Sequence, residues 1–156
     1  MTLILFVCRG NTCRSPMAEA VARTRAGIVG VDAIFKSAGI AVSVIGAPAD
    51  PRAIACAAKM GLDLTAHRAD ATTMPLLSAM DRIYALDREV RDQLMAQTPQ
   101  PRQSRIHLLM SLVPETGLTD VADPWSGTAA DYDGAFALID AAVAALIDDL
   151  KTAAHD

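Results

Sequence analysis

Apolar residues fall into two kinds of run that alternate along this chain. Four short stretches have the length and composition of strands: Leu3-Ile4-Leu5-Phe6-Val7, Ala33-Ile34-Phe35-Lys36-Ser37-Ala38, Arg82-Ile83-Tyr84-Ala85-Leu86 and Ile106-His107-Leu108-Leu109. Between them the period changes to that of a helix. Pro16 to about Ala26 places Met17, Val21 and small alanines on one face and Glu19, Arg23 and Arg25 on the other, with Gly27 and Gly30 to end it. Asp50-Pro51 starts a second helix that runs to Met60 and stops at Gly61. Met74 to Ala79 predicts a short helix, and Asp87 caps another that reaches about Gln97. From about Ala129, the residues Tyr132, Phe136, Ile139, Val143, Leu146, Ile147 and Leu150 recur at helical spacing and predict a long amphipathic helix.

Strands alternating with helices predict an α/β fold: one domain over residues 1–156, a doubly wound four-stranded parallel sheet with right-handed crossovers and helices on both faces. Ligand sites in such folds lie at the carboxyl ends of the strands. Ile40 to Asp50 is a longer loop, and Pro99 to Arg105 is expected as a solvated basic loop.

Composition narrows the class without naming a chemistry. At 156 residues, 52% hydrophobic and 21% charged, the chain is globular rather than disordered. The longest N-terminal apolar run, Leu3 to Cys8, has no basic segment before it, so neither a secretory leader nor a membrane span is predicted and the expected location is the cytoplasm. Cys8, Cys13 and Cys56 form neither a disulfide framework nor a zinc pattern, and no metal or other cofactor is expected. Cys56, among alanines in a helix, reads as a small buried residue. A net charge of −4 argues against a nucleic-acid partner.

The chemistry concentrates in Cys8-Arg9-Gly10-Asn11-Thr12-Cys13-Arg14-Ser15-Pro16, directly after the first strand. Gly10 and Asn11 permit a tight loop, and Ser15 followed by Pro16 predicts an N-cap and a first helical residue. Amides of a strand-to-helix turn converge at a helix N-terminus, which is an anion site. A free thiol has a pKa of about 8.5, and helix N-termini with nearby cations bring it to roughly 3.5–7.5, which would make Cys8 a thiolate. Arg14 adds a planar fork that matches two phosphate oxygens.

The run Cys8-x-Gly10-Asn11-x-Cys13-Arg14-Ser15-Pro16-Met17-Ala18-Glu19 resembles the signature of the low-molecular-weight protein tyrosine phosphatases, and Asp123-Pro124-Trp125 resembles their general-acid loop. The resemblance implies a metal-free phosphatase in which Cys8 attacks phosphorus, Arg14 and the loop bind the oxygens, and Asp123 protonates the leaving group. Ser15 then steadies the departing thiolate. It implies a phosphorylated protein or peptide as substrate and inorganic phosphate as product. Asp123 is expected on a loop with Trp125 shielding it from water and forming a wall for the substrate. Asn11, Ser37 and His67 are implied as a network that shapes the loop, with Asp87 near His67.

Three departures from the family pattern stand out. Ile40 replaces a usual Thr, Asp70 a usual basic residue, and Trp125-Ser126 the paired tyrosines of the animal members. Cys8 and Cys13, on one loop, are expected to form a reversible disulfide after mild peroxide.

Other functions meet specific obstacles. A phosphate-binding module has no use for Cys8 or Asp123, and a thioredoxin-linked arsenate reductase needs two more cysteines after the third strand, where this chain has Tyr84-Ala85-Leu86-Asp87. A protein-arginine phosphatase is the alternative, because Thr12 stands where that subgroup resembles this sequence. Arg9 at the pocket mouth would oppose it by repelling a cationic side chain, so phosphotyrosine is expected as the preferred substrate with detectable activity on phosphoarginine.

Overall fold

Strand β1 (Thr2–Cys8) runs through the middle of the sheet and is apolar on both sides. β2 (Ala33–Gly39) pairs with one of its edges and β3 (Arg82–Ala85) with the other; β4 (Ile106–Leu108) extends the sheet beyond β3. Every pairing is parallel, with Cys8 opposite Gly39 and Val7 opposite Ala85. This computed structural model describes residues 1–155, so residue 156 of the predicted domain lies outside it.

The pleat sorts the side chains of β1 into two cores. Ile4, Phe6 and Cys8 face the larger one, which they share with helices α1 (Arg14–Val29), α2 (Pro51–Lys59) and α5 (Ala129–His155). Phe6 stacks between Phe35 and Tyr84, with ring centroids 6.2 Å apart on each side. Leu5 and Val7 face the smaller core, with Leu77 of α3 (Met74–Ala79) and Val90 and Leu94 of α4 (Arg88–Gln97). All seven apolar positions predicted for the last helix are buried in α5.

This arrangement sets the place of the site. The chain leaves β1 toward α1 on one face of the sheet and leaves β3 toward α4 on the other, so a crevice opens between the carboxyl ends of two adjacent strands. No helix among the described residues is long and apolar enough to cross a membrane.

Several local expectations are met by the side chains that carry them. Asp50 accepts a hydrogen bond from the Arg52 amide at 2.8 Å, and Asp87 accepts one from the Val90 amide at 2.8 Å. The start of α1 differs from expectation. The helix begins at Arg14, Cys13 occupies the cap position without a side-chain bond, and Ser15 does not cap, because its hydroxyl is drawn to Cys8 and Asn11. Gly27 lies inside α1, and Gly30, in the left-handed region at φ 74°, ends the helix. The Pro-rich basic segment winds into a short 3-10 turn over Gln100–Arg105 that buries none of its residues.

Gly39, the last residue of β2, has a packing role that the strand pattern does not reveal. A Cβ there would lie 2.7 Å from the Arg9 carbonyl, 2.8 Å from a Val42 methyl and 3.0 Å from the Asn11 amide, so the Cys8 loop seats directly on it. Overpacking of this kind costs about 1–3 kcal/mol, and Gly39→Ala is expected to lower the Tm by several degrees. A Cβ at Gly27, inside α1, meets nothing within 4 Å, and Gly27→Ala should raise the Tm through a helix-propensity gain of about 1 kcal/mol. Thermal melts in which the two variants coincide would contradict this packing account.

Candidate active site

Cys8 ends β1, and the loop that follows is held by the carboxamide of Asn11. Asn11 is fully buried and has φ 56°, the one non-glycine residue with positive φ among those described. Asparagine tolerates this conformation better than most residues, and here the side chain fixes it. Its Nδ2 donates to the Ser15 hydroxyl at 2.9 Å and the Ser37 hydroxyl at 3.0 Å, while its Oδ1 accepts from the Asp70 amide at 2.9 Å. Its main-chain carbonyl takes a 2.7 Å hydrogen bond from His67 Nε2, which requires the tautomer with the proton on that nitrogen.

The same network aims two donors at the sulfur. The Asn11 amide lies 3.2 Å from Cys8 Sγ and the Ser15 hydroxyl 2.9 Å from it. Because Asn11 Nδ2 donates to that hydroxyl, its single hydrogen is free to point at sulfur, closer than the alternative acceptor, the Ala38 carbonyl at 3.4 Å.

Arg14, in the first turn of α1, is only 2% exposed. Its Nη1 donates to Asp87 Oδ2 at 2.7 Å and to the Val121 carbonyl at 2.8 Å, which uses both hydrogens of that nitrogen. Nη2 stands 3.5 Å from Asp123 Oδ2. The edge formed by Nε and Nη2 is therefore left to meet a ligand. Burial works against the guanidinium charge, but the sulfur of Cys8, then Asp87 and Asp123, outweigh it and hold the Arg14 pKa above its ordinary value.

Two expectations are corrected here. Asp87 does not lie beside His67; it follows β3 and serves Arg14 and α4, whereas His67 approaches Asn11 from the segment that bridges to Gly39 at the end of β2, on the other side of β1. Trp125 does not shield Asp123. Trp125 is 64% exposed, the Asp123 side chain 40% exposed, and the two meet in a turn in which Asp123 Oδ1 accepts the Trp125 amide at 3.1 Å.

Cys8, Arg9, Gly10, Thr12, Cys13, Arg14, Asp123 and Trp125 nevertheless line one cavity of about 590 Å³. Its remaining wall, Ala41, Val42, Ser43, Val44 and Ala47, is mostly apolar and comes from the loop after β2. Arg9 is not a lone cation at the mouth, since Glu89 pairs with it at 3.2 Å. Cys13 is buried, and that burial raises its thiol pKa despite hydrogen bonds from Tyr132, at 3.3 Å, and Thr12. All three cysteines are free, and burial with Asp133 nearby pushes the Cys56 thiol up to about 11.

The departures at Ile40 and Asp70 have a structural explanation. Both act on the loop through their main chains: the Ile40 amide donates to the Cys8 carbonyl at 3.1 Å, and the Asp70 amide donates to Asn11 Oδ1 at 2.9 Å. Val121, Tyr132 and Gly39 are site residues that the sequence reading missed. Val121 contributes only a carbonyl, which any residue supplies, and Tyr132 was legible only as part of an apolar stripe.

With this geometry in place, comparison with known proteins gives a consistent result. The sequence pattern described as low molecular weight phosphotyrosine protein phosphatase matches residues 3–155. A probable low molecular weight protein-tyrosine-phosphatase, EpsP of Ralstonia nicotianae, is 34% identical over 148 residues, which cover 95% of each chain. Among solved structures, a protein tyrosine phosphatase from Entamoeba histolytica with Hepes in the active site superposes with a TM-score of 0.93 at 25% identity, covering 98% of this chain and 99% of that one. The YwlE arginine phosphatase from Geobacillus stearothermophilus gives 0.87 at 27% identity, over 97% and 94%. A match that runs from β1 into the last helix in both sequence and fold leaves one assignment: the chain belongs to the low molecular weight protein tyrosine phosphatases and is a phosphoric monoester hydrolase.

Proposed function

We propose that the enzyme hydrolyses phosphotyrosine and other aryl phosphates through a phosphocysteine on Cys8. The observation that carries this reading is the setting of the sulfur, which accepts from one amide and one hydroxyl and lines the same cavity as a buried guanidinium with a free edge. In this mechanism the Cys8 thiolate attacks phosphorus in line, while Arg14 Nε and Nη2 and the amides opening α1 take the equatorial oxygens. The bond from phosphorus to the leaving oxygen breaks as Asp123 gives that oxygen its proton. Asp123, now ionised, takes a proton from water, which attacks the phosphocysteine. The P–S bond breaks, and the Ser15 hydroxyl and Asn11 amide receive the charge on sulfur.

The apolar wall and the Trp125 indole favour an aryl group, on which an aromatic face can stack. The Arg9–Glu89 pair is exposed on both sides, and such pairs are worth little, so the charge argument for phosphotyrosine weakens and the wall carries the preference. A second reading, protein-arginine phosphatase, is favoured by Thr12 in the cavity lining and by the likeness to an arginine phosphatase fold. A guanidinium plane also stacks on an indole. The cytoplasm remains the proposed location, and a phosphorylated protein or peptide the proposed partner.

Three outcomes are expected. Cys8→Ser should abolish turnover yet still bind phosphate, and Arg14→Lys should be nearly as inactive, since an ammonium cannot replace the fork. Either variant keeping more than about a tenth of wild-type kcat, a loss under roughly 1.4 kcal/mol, would contradict these roles. Asp123→Asn should lose most activity with poor leaving groups and little with a nitrophenolate; a loss independent of leaving-group pKa across a series of aryl phosphates would remove Asp123 as the acid. On matched peptides, kcat/KM should favour phosphotyrosine over phosphoarginine. A preference of about tenfold for phosphoarginine, about 1.4 kcal/mol, that Thr12→Ile reverses would establish the second reading instead.

A further inference from the structure

Arg52, in the first turn of α2, joins groups that the proposed mechanism requires to move together. Its Nε and Nη2 donate to the two carboxylate oxygens of Asp50, both at 3.1 Å, and its Nη1 donates to the Gly127 carbonyl at 3.3 Å. The guanidinium carbon stands 5.0 Å from the centre of the Tyr132 ring. Each partner leads back to the site. The Asp50 amide donates to the Thr12 carbonyl at 2.9 Å, and the Tyr132 hydroxyl lies 3.3 Å from Cys13 Sγ, so two attachments end on the phosphate loop. Gly127 donates its own amide to the Pro124 carbonyl at 2.8 Å, which closes the turn immediately after Asp123.

We infer that Arg52 is a positioning residue that fixes the Asp123 turn against the phosphate loop, with its guanidinium setting the distance between proton donor and nucleophile. This rests on the proposed role of Asp123 as general acid. Its physical basis is the exposure of the two side chains at issue: Asp123 and Trp125 reach solvent, and the buried residues of this segment, Val121 and Pro124, anchor its backbone without fixing where the Asp123 carboxyl points. The contacts in hand are Asp123 to Arg14 at 3.5 Å, which a bound phosphate would compete for, the short turn bonds, and the tie through Gly127 to Arg52. The flanks of the turn are held by the Val121 carbonyl, which accepts from Arg14, and by Tyr132 of α5, which reaches Cys13; the Arg52 bond is the one that ties the turn itself, at Gly127, to α2. Without it the carboxyl would sample positions out of reach of the leaving oxygen, while the sulfur and Arg14 stayed in place.

The test is a double-mutant cycle measured with aryl phosphates of different leaving-group pKa. A general acid is worth roughly 10²–10⁴-fold, and Arg52→Ala, which loosens it, is expected to lower kcat about tenfold on phenyl phosphate and less than about threefold on p-nitrophenyl phosphate. Added to Asp123→Asn, which has already lost the acid, Arg52→Ala should change either rate by no more than about twofold. Arg52→Met, which keeps an unbranched stem but no donors, should match Arg52→Ala, and the inhibition constant of inorganic phosphate should stay within about twofold in both. Equal loss on both substrates, a loss that adds fully to Asp123→Asn, weakened phosphate inhibition, or wild-type behaviour of Arg52→Met would each overturn the inference. If Asp123→Asn itself shows no leaving-group dependence, the acid role and this inference fall together; if it does and Arg52 is uncoupled from it, the inference falls alone.

Discussion

Among the described residues, Arg14 is the one charged side chain taken into the interior, and most of the site follows from what that requires. An ion moved out of water costs several kcal/mol unless its donors are matched. Here the matching groups come from distant parts of the chain: Asp87 from the end of β3, the Val121 carbonyl and Asp123 from the connection before α5, and Cys8 from β1. Val121 is itself fully buried, and its amide donates to the Leu86 carbonyl at 2.8 Å, so an irregular connection is fixed against the sheet at the point where the guanidinium needs an acceptor. The hydrogen bonds from Asp87 and Val121 both fall on Nη1, and the other edge of the fork has only the 3.5 Å contact of Nη2 with Asp123. A buried cation with part of its donor set unspent is prepared for an anion, and the energy of burying it is offset before any ligand arrives.

The loop around that cation is rigid for a different reason. Asn11 adopts a left-handed conformation, and each polar atom of its side chain has a protein partner, as does its carbonyl. Satisfied buried networks specify one arrangement, because any alternative leaves a donor or acceptor unpaired at a cost of about 1–3 kcal/mol. Gly39 completes the constraint from below by letting β2 approach the loop more closely than any side chain would permit. The sequence departures at Ile40 and Asp70 are tolerated because their contributions run through main-chain groups that do not depend on the side chain.

The four strands, the helices between them and the caps at Asp50 and Asp87 were legible because each depends on local signals: period, Asp-Pro, a glycine past a helix end. Cys8, Arg14 and Asp123 were legible through a compact motif and a short turn. What was not legible was pairwise and long-range. Asp87 and His67 flank the same loop from opposite sides of β1, which no spacing along the chain reveals, and the placement of Asp87 near His67 failed for that reason. Ser15 followed by Pro16 has the chemistry of a helix cap, yet tertiary demand from Cys8 and Asn11 overrode the local preference. Trp125 suggested a shield, but whether an indole covers its neighbour depends on the turn geometry, and here the turn sends it outward.

The central claim is that phosphorus is transferred to the Cys8 sulfur before water reaches it. Rapid acid quench of the enzyme during the first turnover of an aryl phosphate, followed by peptide mass mapping, tests that directly. The account predicts a burst of phenolate matched by a phosphoryl group on the peptide that carries Cys8, bonded to sulfur and lost on continued incubation. A burst with the phosphoryl group on any other residue, or full-rate turnover in which no phosphorylated protein forms and water attacks the substrate directly, would contradict it.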